Sequence, residues 1–143
     1  MDTLEQLNET FADNFVNNYR VHSIHFNITG EEFYSYHKLL QKIYEDGEAI
    51  QDDLGELIRA LDALAPETIT EILALADLED TTTLPGTMDL IRFVLEGQEH
   101  MINSYYKLNE IAENEDHVDI SNFAQDRIRK HKKYAWQLKA ILG

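Results

Sequence analysis

No cysteine occurs among the 143 residues. A disulfide framework, a thiolate metal site and a cysteine nucleophile are therefore excluded, and the absence suits a reducing compartment. No apolar run approaches the roughly 20 residues that a helix needs to cross a bilayer. The opening stretch MDTLEQLNET has no basic segment followed by an apolar one, so no secretory signal is read there. A soluble, cytoplasmic protein is expected. Basic residues are scarce, with twelve Lys and Arg against 27 Asp and Glu, a formal net charge of -15 and a pI near 4.6. None precedes Arg20, and half of them (Arg127, Arg129, Lys130, Lys132, Lys133 and Lys139) fall near the end. Such a balance opposes nucleic-acid binding, which rests on neutralising phosphates. It leaves two readings open, plain solubility or an attraction for cations.

What is present is helical periodicity. One domain over residues 1–143 is long enough to bury a core without staples. Leu4, Leu7, Phe11, Phe15 and Tyr19 recur at spacings of three and four, one stripe of an amphipathic helix. That helix is expected to end near residues 27–30, with Gly30 as its C-terminal cap. A second runs from about Glu31 to Leu64, with Phe33, Leu40, Tyr44, Ile50, Leu54, Leu57, Leu61 and Leu64 facing inward. Acidic residues in its first turn suit the helix dipole. Pro66 starts a short helix to about Ala76, and residues 81–86, with Pro85 and Gly86, form a loop. A third long helix is predicted over 87–113, using Met88, Ile91, Val94, Leu95, Met101, Ile102, Tyr105, Leu108 and Ile111. The last covers 118–142, using Phe123, Ile128, Trp136, Leu138 and Ile141. The fold class is all-α, a four-helix bundle with a short extra helix in the long connection between its second and third helices.

Without thiolates, histidine and carboxylate are the ligands open to iron, zinc or manganese. Bundles that hold two irons within one subunit do so through Glu-x-x-His pairs. The residues three before each histidine are Tyr19, His22, Tyr34, Gly97, Asn114 and Ile128. None is Glu, so that centre is absent. A different set remains. His25 and His37 flank the first connection, and Asp52 and Glu56 lie four apart on one face of the second helix. Each alone reads more readily as a cap, a satisfied polar residue or a solvated face than as a ligand. His37 and Asp52, fifteen residues apart on one helix, stand about 22 Å apart. Metal–ligand distances are near 2 Å, so both groups are ligands only if one subunit's histidines meet another's carboxylates. A two-fold axis pairing the second helices antiparallel makes two such sites.

The stretch His25-Phe26-Asn27-Ile28-Thr29-Gly30-Glu31-Glu32-Phe33-Tyr34-Ser35-Tyr36-His37 resembles the first signature of the Dps family (DNA protection during starvation, or mini-ferritins), H-W-N-V-x-G-x-x-F-x-x-x-H. Asp52-Asp53-Leu54-Gly55-Glu56 is similar to its D-x-x-x-E, and the likeness continues through Arg59-Ala60-Leu61 to Trp136-Gln137-Leu138-Lys139-Ala140. The resemblance implies a ferritin-like fold and a hollow homo-dodecamer of tetrahedral symmetry. It also implies ferroxidase centres between subunits, each taking two irons. There iron(II) is oxidised by hydrogen peroxide or oxygen, and ferric mineral is stored inside, limiting oxidative damage. His25 and His37 would come from one subunit, Asp52 and Glu56 from its partner, with Glu56 bridging the irons. Glu115, Asp116 and Asp119 would line the iron-entry pores. Their alternative is capping of the last helix by Asp116 or Asp119. His22 is read as structural.

This chain departs from the family pattern in three places. Phe26 stands where Trp is usual, Tyr134 where many members have His, and the lysine-rich N-terminal tail through which some members bind DNA is not seen. Two rival functions remain. One is a DNA-compacting shell resting on the basic cluster Arg127–Lys133, which the net charge opposes. The other is a shell that binds zinc or manganese without turnover.

Overall fold

The computed structural model describes residues Met1–Gly143 as five helices and no strand. They are α1 (Thr3–Asn27), α2 (Phe33–Ala60), α3 (Ile69–Leu75), α4 (Thr87–Asn114) and α5 (Val118–Leu142). The four long helices form the bundle, and α3 lies in the connection between α2 and α4, packed on α1. Asp2 starts α1 by accepting the Glu5 N–H at 2.8 Å, and Thr68 starts α3 by accepting that of Glu71 at 3.1 Å. Each satisfies an amide that the first helical turn leaves without a partner. That cap sets α3 three residues later than Pro66.

Several boundaries differ from the sequence expectation, each for a local reason. α1 ends at Ile28, whose extended backbone carries a fully buried side chain into the core. Gly30, with φ +114, is not the cap of α1. Its carbonyl accepts the Phe33 N–H at 3.1 Å and so turns the chain into α2. Glu31 and Glu32 precede α2, whose first turn holds no acid. α2 stops at Ala60 rather than Leu64, because Asp62 takes a left-handed φ of 63 and its N–H folds back to the Arg59 carbonyl. Leu64 is consequently exposed, as are Tyr19, Phe33, Met88 and Trp136, all expected to face inward. A single bundle has no surface left to cover these flanks of its stripes.

The interior divides in two. One apolar cluster contains Leu7, Leu54, Ile58, Met101, Tyr105 and Leu108, and the other Val21, Leu40, Ile91, Val94 and Leu138. Between them runs a buried polar belt. Asn14 donates to the Gly47 carbonyl at 3.0 Å and to Gln51 at 2.7 Å. Arg127, 5% exposed, forms a two-pronged ion pair with Asp46 at 2.8 and 3.3 Å. His131 is buried beside it. Its Nδ1–H donates to Gln98 Oε1 at 2.7 Å and its Nε2 accepts from Arg127 at 3.1 Å. Burial, then the Arg127 charge, holds its pKa well below the usual value, so this ring is neutral. The belt also needs Gly47 and Gly97. A Cβ on Gly47 would lie 2.0 Å from Asn18 Oδ1, and one on Gly97 2.1 Å from Asn17 Oδ1.

Candidate metal centre

The belt occupies the middle of the bundle, where a metal site within one subunit would sit. Among its residues the one carboxylate, Asp46, is engaged by a guanidinium, and His131 has both nitrogens in hydrogen bonds. The belt thus leaves neither a free carboxylate nor a free ring nitrogen for a cation.

His25 and His37 meet at the turn between α1 and α2. Their rings stack with centroids 3.6 Å apart and planes at 15°. His25 Nδ1 lies 2.8 Å from the His37 carbonyl, and His37 Nδ1 lies 2.8 Å from the His25 carbonyl. A carbonyl oxygen only accepts, so both Nδ1 atoms carry the hydrogen. In the neutral rings both Nε2 atoms therefore keep a free lone pair. A backbone partner on one ring nitrogen is the usual means of orienting the other toward a metal. Burial pushes the His25 pKa down, against the opposing hydrogen bond to the His37 carbonyl, with the His37 and His22 charges adding to the fall. A ring that resists protonation is one that stays available as a ligand.

Aromatic side chains wall this pair. Phe33 stacks on His37 at 4.8 Å, Phe26 lies 5.6 Å from His25, and Tyr44 meets His25 edge-on at 5.0 Å. Phe26, 62% exposed, keeps a planar apolar wall where the signature has an indole, without its N–H.

Leu54 and Ile58, both fully buried, anchor the inner face of α2 and leave its outer face to acids. There Asp52, Asp53 and Glu56 each offer a carboxylate oxygen within 4.8 Å of the others, all exposed. Asp53 escaped the sequence reading. Its signal was the three-residue spacing to Glu56, which puts both on one face as the four-residue spacing does for Asp52. The histidines are not part of this group. His37 and Asp52 share α2, whose rise separates them by about 22 Å.

Of the expected pore residues, Glu115 has a partner in its own subunit, accepting from the Thr3 N–H at 2.7 Å and from the Thr3 hydroxyl. Those hydrogen bonds hold its carboxyl below the usual range. Asp116 and Asp119 are exposed and neither caps α5, whose N-cap is His117 without a side-chain bond. Asp116 instead closes α4 in a left-handed conformation, φ 62, and Asp119 stands in the first turn of α5, where its charge suits the helix dipole. The capping alternative is thereby overturned. The three do not converge as ligands within one subunit.

One further cluster gave no sequence signal. Asp13, fully buried on α1, accepts the Asp77 and Leu78 N–H groups at 2.8 Å each, and its other oxygen meets His100 Nε2 of α4 at 2.9 Å. It ties the connection after α3 to the bundle. No helix is long and apolar enough to cross a membrane.

Residues 4–143 match the ferritin-like domain family. The DNA protection during starvation protein of Helicobacter pylori is 32% identical over 144 residues, covering 100% of both chains. That of Listeria innocua is 28% identical, covering 100% of this chain and 93% of the relative. The Dps structure from Vibrio cholerae, described as a member of a broad superfamily of ferritin-like diiron-carboxylate proteins, superposes with a TM-score of 0.92. It is 25% identical, over 99% of this chain and 89% of that one. Matched along its whole length in sequence and in fold, the chain belongs to the ferritin-like family and, within it, to the Dps proteins.

Proposed function

We propose that this protein is a ferroxidase and iron store, oxidising iron(II) at centres shared between subunits of a closed homo-oligomer, most simply a dodecamer. The observation that carries the proposal is the His25–His37 pair. Two imidazoles are oriented by each other's backbone, with neither Nε2 engaged in the chain, while the carboxylates that would complete the site lie about 22 Å from His37 on the same helix. Antiparallel pairing of two α2 helices across a two-fold axis supplies Asp52 and Glu56 of the partner subunit to His25 and His37, and the reverse.

In this reading iron(II) is the substrate, two ions per centre. Asp52 and Glu56 are hard oxygen donors that favour the ferric product, and Glu56 bridges the two ions. The imidazoles hold iron(II) without added charge. Hydrogen peroxide accepts two electrons, one from each ion, so its O–O bond breaks to water-level oxygen without releasing a radical. Ferric ions then pass inward as mineral. Asp53, beside Glu56, adds a carboxylate that helps hold or release them. Stopped-flow absorbance after iron(II) and peroxide addition tests this. A His25→Gly, His37→Gly variant should lose the fast phase, and an unchanged rate would contradict the proposal. The same trace separates turnover from mere zinc or manganese binding.

The DNA-compacting alternative rested on the cluster Arg127–Lys133. Arg127 is buried in its pair with Asp46, Arg129 pairs with Asp126, and Lys132 donates to the Tyr106 hydroxyl at 2.9 Å. Two of its five charges are thus paired with carboxylates, and the three lysines that remain stand against a net -15.

A further inference from the structure

His22 lies one turn before His25 on α1 and half-buried, its ring stacked flat on Tyr44 at 3.9 Å and 7°. Its centroid stands 5.9 Å from that of His25. Unlike His25, His37, His100 and His131, it spends neither ring nitrogen on a hydrogen bond within the chain. The ring lines a surface pocket of about 280 Å³ together with Glu48 and Gln51 of α2 and Asn18 of α1. An oriented imidazole with open nitrogens, a carboxylate and the Asn18 amide thus line one small volume walled by Phe15 and Tyr19, while the Gln51 amide is held by Asn14 and the Phe11 carbonyl. That donor set suits a borderline divalent cation such as iron(II), cobalt(II) or zinc(II) rather than calcium or magnesium, which take oxygen alone.

We propose that His22 and Glu48 form a second divalent-cation subsite, separate from the four ligands already named. Its place in the oligomer rests on the intersubunit reading. Glu48 is one turn before Asp52 on α2, and His22 is one turn before His25 on α1. Asp52 serves one centre of a two-fold interface and His25 the other, so the pocket lies between the two. A cation held there is poised to enter either centre. Tyr44 touches both His22 and His25 and so spans the step between subsite and centre.

Cobalt(II) titration of the assembled protein, followed calorimetrically, tests this. In a variant carrying His25→Gly, His37→Gly, Asp52→Ala and Glu56→Ala, about one cobalt(II) per subunit should still bind. Adding His22→Gln or Glu48→Gln should weaken it by about tenfold or more, at least the loss seen for outer-shell changes at metal sites. Absence of residual binding, or residual binding indifferent to both changes, overturns the proposal. If the four-ligand variant does not assemble, the otherwise native protein decides. There, His22→Gln should remove about one cobalt(II) per subunit from the stoichiometry, and an unchanged stoichiometry counts against the subsite. Fast iron oxidation surviving in the four-ligand variant would instead overturn the proposed function, a separate readout.

Discussion

His25 and His37 are each other's tautomer lock, each placing Nδ1 at 2.8 Å from the other's backbone carbonyl. The pair is preorganised before any metal arrives, so binding does not have to pay for choosing a tautomer or turning the rings. Solid-state ¹⁵N NMR of histidine-labelled, metal-free protein at pH 7.5 should show both residues as the Nδ1–H form. A predominant Nε2–H form at either would mean that the lone pairs point away from the proposed site.

The belt through the bundle makes a second prediction. Arg127, 5% exposed, has Asp46 as its anionic partner. Asp46→Ala leaves a buried guanidinium uncompensated, which typically costs about 3–5 kcal/mol. Because the Asp46 side chain is 22% exposed, the lower end, about 3 kcal/mol, is expected. Chemical denaturation at fixed protein concentration measures it, since assembly contributes to apparent stability. A loss below about 1 kcal/mol would show that water already shares the pair.

His100 gives a pH dependence. The hydrogen bond to Asp13 raises its pKa, against the opposing effect of burial, and the Asp13 and Asp77 charges add to the rise. A histidine whose folded pKa exceeds its unfolded value of about 6.5 stabilises the fold fully below that value and loses the effect as pH rises through the folded pKa. The advantage of the native protein over His100→Gln should therefore be larger at pH 6 than at pH 8.5, read as a difference in thermal midpoint. An advantage equal at both pH values, or larger at the higher one, would contradict the assignment.

DNA should not be retained at physiological salt. Each subunit carries -15, and fields from exposed charges reach about 8 Å at 0.15 M ionic strength. Of the basic residues nearest to forming a patch, Arg127 and Arg129 are paired with Asp46 and Asp126. A plasmid gel shift at neutral pH and 0.15 M salt should show free DNA, and a retarded band would refute this.

The bundle was legible in the sequence because its cause is periodic. Leu40, Leu54, Leu108 and Leu138 are fully buried on helices whose apolar spacing is three and four. Boundaries were less legible where single residues decide them, as with the left-handed Asp62 that ends α2 and the Thr68 side chain that starts α3. His25, His37, Asp52 and Glu56 could be singled out from spacing and family signature together. Their mutual orientation could not, because the Nδ1-to-carbonyl exchange depends on how the α1–α2 turn closes. The Asp13–His100 clamp joins residues 87 apart in sequence, beyond the reach of any local pattern.

The most direct test of the central claim is complementation between subunits. One variant lacks His25 and His37, replaced by Gly, and the other lacks Asp52 and Glu56, replaced by Ala. Each alone should lose fast iron(II) oxidation while staying helical. Co-assembled, they form some two-fold interfaces where intact histidines face intact carboxylates, giving one complete centre and one without any of the four ligands. The account predicts partial recovery of the fast phase in verified hybrid assemblies, and none on mixing preformed ones. No recovery in the hybrids would mean that the four side chains do not share a centre across the interface.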